Sequence, residues 1–489
     1  MSTVDNYVEP PVKSSVCPKS LHLFTEYEVF RSLTRVHGTS EGPDGIPTWL
    51  LSSMAHLLAY PISILFQGSL VQSYVPPQWL VSRITPVPKI PHPQGVSDFR
   101  PISITSVLSR ILEKHVVRAY FYPILTNPNI NQPFSDQFAF RPSGSTTAAL
   151  IALLHQILDI LKTEPFVRLI SLDFTRAFDS VSHSFLATVL SRLPIPDNIY
   201  NWVMALLKHR QHSTRYQGIT SVLKYITASI IQGSGMGPMN FLTVISTLKA
   251  KHHQNRLMKY ADDSYLLIPA SSIATTESEL ENIALWASSC NLKLNASKSK
   301  EVIFRLPRSM ISTQPPEYPG IQRVDMINIL GIRLNDRLGF GPHIEYITSR
   351  AKQSMYAIRF LTAHGLRGDK LHEVVRATTL ARLLYASPAW SGFVNAEQKS
   401  RINSIIKKLV RCRFLPSSQL TFEDLSNEAD KRLFAVILRN PSHVLYNFLP
   451  PVKNNSYNLR VRAHNRILPE CYTLEKRGFI LRMIYNLVY

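Results

Sequence analysis

Tyr260-Ala261-Asp262-Asp263 lies between two apolar runs, Leu257-Met258 before it and Tyr265-Leu266-Leu267-Ile268 after it. Burying a carboxylate is costly unless it is paired or bound to a metal, so two adjacent Asp in these surroundings constrain the fold. A tight hairpin meets the constraint. Its strands cover the apolar residues, and its turn brings both carboxylates to one exposed spot where they could hold a divalent ion. Taken alone the motif is weak; its neighbours along the chain give it weight.

Upstream, Val167-Arg168-Leu169-Ile170-Ser171-Leu172-Asp173-Phe174 reads as a short strand ending at an Asp. After Thr175-Arg176-Ala177-Phe178-Asp179, the residues Leu186, Val189, Leu190 and Leu193 mark one helix face, with Asp179 or Ser182 as N-cap. Asp173 therefore leaves a strand just before a turn into a helix. In Gln232-Gly233-Ser234-Gly235-Met236-Gly237-Pro238, three glycines let backbone pass close to a ligand. Carboxylates at two neighbouring strand ends suit two-metal phosphoryl transfer. There, two Mg²⁺ ions about 3.5–4 Å apart stabilise the attacking 3′-oxygen and the leaving pyrophosphate. Asp173, Asp262 and Asp263 would supply the protein's oxygen ligands.

Further motifs follow in order: Ser40-Glu41-Gly42-Pro43-Asp44-Gly45-Ile46-Pro47, Asp98-Phe99-Arg100-Pro101-Ile102-Ser103, and Gln137-Phe138-Ala139-Phe140-Arg141-Pro142 with Ser145-Thr146-Thr147. Beyond the catalytic blocks come Asn295-Ala296-Ser297-Lys298-Ser299-Lys300 and Ile329-Leu330-Gly331-Ile332. In this order the chain resembles the reverse transcriptases of non-LTR retrotransposons (LINE-type elements), most like the jockey-like branch. Asn458-Leu459-Arg460 and the closing Arg477–Tyr489 also resemble the end of such a reading frame.

The resemblance implies an α+β, right-hand polymerase fold with fingers, palm and helical thumb. It implies RNA-directed DNA synthesis from a primer 3′-hydroxyl with dNTPs on an RNA template. It implies two Mg²⁺ ions, which Mn²⁺ can replace. Asp173 and Asp262 would bind both metals, Asp263 would assist, and the Phe174 carbonyl would be a backbone ligand. Phe178, five residues after Asp173, would be the steric gate against a ribose 2′-OH. Gln232 and Gly233 would shape the nucleotide site. Lys298 or Lys300 would offer a cation to the triphosphate or a proton to pyrophosphate. Arg100 and Arg141 would clamp phosphates, and Leu330-Gly331 would form the primer grip. The chain departs from the pattern at Ser246-Thr247-Leu248, where an acidic residue commonly precedes the Leu, at Ala139 in place of Gly, and at Ser264 in place of Thr.

Each choice has a plainer reading. Asp179 fits a helix cap better than a metal ligand, Phe178 can be core, Lys298 and Lys300 can be solvated, and Arg100 can brace the loop beside Pro101.

Composition points to a nucleic-acid partner: Lys and Arg number 54 against 33 acidic residues, a formal net charge of +21. The charge recurs at Arg350, Lys352, Arg359, Arg367 and Lys370, then at Arg401, Lys407, Lys408, Arg411 and Arg413. These fall on helical patterns, as in a thumb gripping a template–primer duplex, or on ordinary solvated faces. Cys17, Cys290, Cys412 and Cys471 are far apart, against a disulfide framework. No zinc spacing, signal peptide or nuclear address is evident, and localisation stays open. The apolar Ile46–Phe66 stretch is interrupted by His56, serines and Pro61 and reads as helices without a membrane span.

The expected map is a lead over 1–39, fingers over 40–165, palm over 166–335 (a reverse transcriptase domain of about 70–335), a basic helical thumb over 336–440 and a loosely patterned tail over 441–489. Within it, Thr276 with Glu279 reads as a capping box opening a helix whose face is Leu280, Ile283, Ala284 and Ala287. The residues between Pro307 and Gly320 read as a proline-rich loop. No endonuclease or RNase H module is expected. The competing readings are a relic that binds nucleic acid without synthesis, and a group II intron maturase or telomerase-like polymerase.

Overall fold

The Val167–Leu172 strand is apolar along nearly its whole length because it is buried on both faces. It is the middle strand of a sheet ordered Gln322–Arg323, Lys300–Phe304, Val167–Leu172, Asp263–Pro269, Arg256–Tyr260. This computed structural model describes residues 11–13, 24–36, 38–306, 314–453 and 464–487. Cys17, residues 307–313 of the proline-rich loop, Asn458-Leu459-Arg460 and the final Val488-Tyr489 lie outside them.

The chain divides into two compact units. The first comprises the described residues up to Ser135, Phe174–Lys249 and Glu281–Leu294; the second comprises Asp136–Asp173, Ala250–Leu280 and the described residues from Asn295 on.

In the second unit the central strand pairs antiparallel with both neighbours, Leu172 opposite Ser264 and Ser171 opposite Lys300. Its one charge, Arg168, is 3% exposed. The guanidinium lies 3.4 Å from Glu301, donates to the Thr276 hydroxyl at 3.0 Å and also reaches the Pro316 carbonyl, while Arg323 pairs with the same Glu301. A buried charge survives because it is paired and hydrogen-bonded. The helix Thr146–Ile160 starts where the Ser145 hydroxyl accepts from the Ala148 N–H, and it is buried nearly all round. The segment read as basic amphipathic helices forms Gly341–Ala363, Gly368–Val375, Ala396–Arg411 and Phe422–Arg439, with shorter turns between. Arg350, Lys352, Arg359, Arg367, Lys370, Arg401, Lys407, Lys408, Arg411 and Arg413 are all exposed on it.

The described residues 464–487 of the expected tail are not loose. The helix Phe479–Asn486 buries Phe479, Ile480, Met483 and Ile484 in the core of the second unit. Arg482 pairs with the buried Asp430 at 3.0 Å, and the Tyr472 hydroxyl donates to the Leu158 carbonyl at 3.0 Å. A short helix after a proline-rich stretch has too few turns to announce itself by periodicity.

The capping-box expectation also fails. Glu279 is fully buried and accepts instead from the Lys251 and His252 N–H groups and from the Asn255 amide, and the Thr276 hydroxyl donates to the Ile273 carbonyl. On that helix Leu280, Ile283 and Ala287 are buried but Ala284 is exposed.

In the first unit, Val81–Pro88 pairs antiparallel with Phe99–Ile104 and parallel with Gln211–Tyr216. The helix Ala55–Val71 continues past Pro61. Pro61 and Leu57 are both exposed, so the Leu57 carbonyl that loses its helical donor faces water. Among the described residues no helix is long and apolar enough to cross a membrane.

Candidate active site

The Tyr-Ala-Asp-Asp motif forms the expected hairpin. Arg256–Tyr260 and Asp263–Pro269 pair with Tyr260 opposite Asp263, leaving Ala261-Asp262 as the turn. Ala261 is held at φ 55°, a left-handed conformation that crowds a Cβ against its own backbone. The buried Gln137 side chain holds it there. Its Oε1 accepts from the N–H groups of Phe138 at 2.9 Å, Ala139 at 3.0 Å and Ala261 at 3.2 Å. Beneath the same strand the Lys259 N–H donates to the Asp136 carbonyl and the Phe138 N–H to the Lys259 carbonyl. The Lys259 ammonium, fully buried, sits 3.0 Å from the Asp136 carboxylate.

Asp173 follows the central strand. Its N–H donates to the Ser299 hydroxyl at 3.3 Å, which in turn donates to the Asn295 carbonyl at 2.9 Å. The Asn295 N–H donates back to the Asp173 carbonyl at 2.8 Å. Asp263 feels the other two carboxylates. Asp263 keeps solvent access, but the protein crowded around it, then Asp262 and Asp173, push its carboxyl up to about 6. Among the described residues no three His, Cys, Asp or Glu side chains are gathered, as they stand, into a metal cage.

Leu330-Gly331 is the turn of a second hairpin, Met326–Ile329 with Ile332–Asn335. Both turn residues are left-handed, at φ 47° and 86°, the geometry of a type I′ turn. The Tyr385 hydroxyl donates to the Leu330 carbonyl at 3.0 Å. The Leu330 backbone also faces the Tyr265 phenol, whose pKa is raised by burial first and then by Asp263 and Asp262. Tyr260 is raised by burial, by Tyr385 and by Asp263. The two hairpins thus meet around three tyrosines.

Lys298 and Lys300 are exposed and, among the described residues, make no ion pair. Arg141 is turned inward. Its guanidinium donates to the Gln137 carbonyl at 3.3 Å, and burial, opposed by Asp136, lowers its pKa.

The first unit gathers the remaining expected residues. The Gln232 carbonyl accepts from the Ser103 N–H at 2.8 Å, in the strand that carries the exposed Arg100. A Cβ on Gly233 would stand 2.3 Å from the Ser103 carbonyl oxygen. Gly237 is likewise pressed against the Ile231 carbonyl. These glycines admit the chain's own backbone, a reason the sequence reading did not offer. The Gln232 amide donates to Asp179 at 3.1 Å. Asp179 therefore anchors Gln232 and caps no helix; Ser182 is the cap. Burial raises the Asp179 pKa, against the Gln232 hydrogen bond and Arg176. Phe178 stacks on Phe241 with ring centroids 4.2 Å apart. The Trp286 indole packs edge-on to Phe174 and donates to Thr247 at 2.8 Å, which gives that departure from the motif a partner.

Sequence reasoning assigned no role to Gln137, Asn295, Ser299 or Glu113. Glu113 is fully buried and accepts from the Met236 N–H at 2.9 Å, fixing the end of the glycine loop.

A family model described as "Reverse transcriptase (RNA-dependent DNA polymerase)" matches residues 87–334, just over half of the 489 residues. The chain is similar to the "Probable RNA-directed DNA polymerase from transposon BS" of Drosophila melanogaster, at 26% identity over 373 residues, covering 73% of this chain and 40% of that relative. It is similar to the "RNA-directed DNA polymerase from mobile element jockey" of the same organism, at 24% identity over 381 residues, covering 74% and 40%. A solved apo telomerase from Candida tropicalis, truncated from its C-terminal domain, shares 13% identity at a TM-score of 0.36, covering 61% of this chain and 62% of that one. That likeness is too slight to carry an argument. The chain spans 40% of the length of these two curated relatives. The chain belongs to the reverse transcriptase (RNA-dependent DNA polymerase) family, and its resemblance is to the non-LTR, LINE-type members.

Proposed function

We propose that this chain copies an RNA template into DNA, extending a primer 3′-hydroxyl with dNTPs. One observation carries the reading: the hairpin that presents Asp262 and Asp263 is paired with the strand that ends at Asp173, with Leu172 opposite Ser264, so the three carboxylates stand at neighbouring strand ends. The family works with divalent metal ions. The donors fit such ions, because all three side chains offer carboxylate oxygens, the ligand type Mg²⁺ prefers, and the negative charge that Asp262 and Asp173 bring to Asp263 is relieved by a shared cation. Asp173 and Asp262 would hold two Mg²⁺, with Asp263 assisting and the Phe174 carbonyl as a backbone ligand. When bound, the ions supply charge stabilisation to the attacking 3′-oxygen and the leaving pyrophosphate.

The chain's own residues do the rest. Hydrogen bonds accepted by Gln137 and Ser299 and donated by the Asn295 N–H fix the backbone that carries the carboxylates. Fixed dipoles and charges need no reorganisation during reaction. Phe178, backed by Phe241, presents a stiff ring to the sugar and disfavours a 2′-hydroxyl. Gln232, tied to Asp179 and Ser103, shapes the nucleotide site with Gly233. Arg100 offers a phosphate fork, and Lys298 or Lys300 a cation or proton for the pyrophosphate. Arg141 acts by bracing Gln137. Leu330-Gly331 grips the primer. In this reading 40–165 are fingers, 166–335 palm and 336–440 a thumb holding the RNA–DNA duplex through shape and phosphate contacts.

The test is primer extension on a defined RNA template with wild type and Phe178→Val. Wild type incorporates dNTPs, and the variant accepts rNTPs more readily. A folded, duplex-bound protein that incorporates nothing with Mg²⁺ or Mn²⁺ overturns the reading.

A further inference from the structure

The helix Ala55–Val71 buries Ala59, Ile62 and Phe66 in the first unit and leaves its other side open to solvent. That side is apolar. Leu57, Tyr60, Ile64, Leu65 and Val71 are each between 42% and 63% exposed. Leu57, Ile64 and Val71 follow one another at heptad spacing, so they form one stripe on a helix about 25 Å long. Exposed apolar residues scattered singly are ordinary, whereas a contiguous stripe marks an interaction surface.

The stripe carries no charge to pair with a charged partner. Between Asp44 and Arg83 the sequence holds no Asp, Glu, Lys or Arg, although 18% of the whole chain is charged and its formal net charge is +21. Two such chains that met on their basic faces would set like charges against each other. On this face they would not.

The order of side-chain sizes points to the occupant. In two antiparallel helices related by a two-fold axis at Ile64, Leu57 of one copy lies opposite Val71 of the other. Ile64 meets Ile64, and Tyr60 comes level with Gly68. Such self-complementarity is what an isologous pair requires. Gly68 has no other explanation in the fold. A glycine inside a helix costs about 1 kcal/mol against alanine, and a Cβ built on Gly68 meets nothing within 4 Å. The space it leaves admits a tyrosine ring from a second copy. Just beyond the two helix ends Met54 and Tyr74 are exposed as well, and they lengthen the apolar surface.

We propose that this face pairs two copies of the chain, helix against helix and antiparallel. A single helix face lies at the small end of specific interfaces, so the dimer is reversible and forms at micromolar concentration. The inference does not depend on the polymerase reading, and its readout is association alone.

The experiment is sedimentation velocity of the nuclease-treated full chain over a micromolar concentration series, at low and high salt. Wild type is compared with Ile64→Lys, with Ile64→Glu and with an equimolar mixture of the two. Wild type dimerises, and more tightly in high salt, where repulsion between two chains of net charge +21 is screened. Copies bridged by residual nucleic acid would instead separate there. Each single variant sets two like charges together at the axis and weakens association at least about 100-fold. The mixture restores a heterodimer, because opposite charges then meet. Gly68→Leu, a better helix former in open space, fills the notch and weakens association at least about tenfold while the monomer stays folded. The inference is overturned if wild type is monomeric at every concentration, if the Ile64 variants associate as wild type does, or if their mixture restores nothing. Monomers that sediment with neutral lipid vesicles, and lose this on Ile64→Lys, would assign the face to a lipid surface and likewise overturn it.

Discussion

The hairpin Arg256–Pro269 turns without a glycine, whereas the hairpin Met326–Asn335 turns with one. In the first, Ala261 is held at φ 55° and its N–H is captured from below by the buried Gln137. In the second, Leu330 at φ 47° is followed by Gly331 at 86°, and two tyrosines reach the Leu330 backbone, Tyr385 at its carbonyl and the buried Tyr265 phenol beside it. A left-handed non-glycine residue costs about 1–2 kcal/mol. The carboxylate hairpin therefore stays in place through a polar scaffold drawn from residues far away in sequence. The other is eased by glycine and braced by tyrosine hydroxyls at the Leu330 backbone. The turn that presents Asp262 is held by a buried amide, while the turn proposed to touch the primer is held by tyrosine hydroxyls and a glycine.

The comparison can be broken first at Gln137. Gln137→Ala strips the acceptor from the Ala139 and Ala261 N–H groups and should lower stability by about 3 kcal/mol in urea unfolding, with extension lost even where the protein is folded. Gly331→Ala imposes a left-handed alanine whose Cβ stands 3.2 Å from the Tyr385 ring. A loss of about 2 kcal/mol is expected, together with weaker primer binding. Tyr385→Phe removes one hydrogen bond and should cost about 1 kcal/mol, with KM for primer rising more than kcat falls. Ala261→Gly relieves the strained turn, so stability should change by no more than about 0.5 kcal/mol, with no gain in extension because the turn loosens.

The smallest effect separates the hairpins by charge. Because the folded state raises the Asp263 carboxyl from its ordinary 3.8 to about 6, it binds a proton more tightly than the unfolded chain does. Metal-free stability should then fall slightly as pH rises across that window and level off above it. Asp263→Asn should flatten that slope, and Tyr385→Phe should leave it intact. Urea midpoints between pH 4 and 7 read it.

What could be read from the sequence was whatever local pattern encodes. Apolar runs located the Tyr260–Asp263 hairpin and the strand ending at Asp173, because each is specified by residues within a few positions; Leu330-Gly331 was singled out through the family resemblance. The Ser182 cap was among two candidates for the same reason. The supports were not legible. Gln137 reaches Ala261 across 124 residues, Ser299 reaches Asp173 across 126, and Glu113 reaches Met236 across 123. A buried hydrogen bond leaves no periodic trace in either partner. Glu279 misled because its spacing from Thr276 matched a cap while burial gave it other donors. The glycines of Gln232–Pro238 were rightly noticed, but the backbone pressed against Gly233 belongs to Ser103 of a distant strand.

The most direct test of the central claim is primer extension on poly(rA)/oligo(dT) with Mg²⁺ and dTTP, comparing wild type with the Asp262→Ala, Asp263→Ala double variant. Extension by wild type and none by the double variant, with both bound to the duplex, is the predicted result. Equal extension by both would mean that the carboxylates at this hairpin are not the catalytic centre, and would contradict the account.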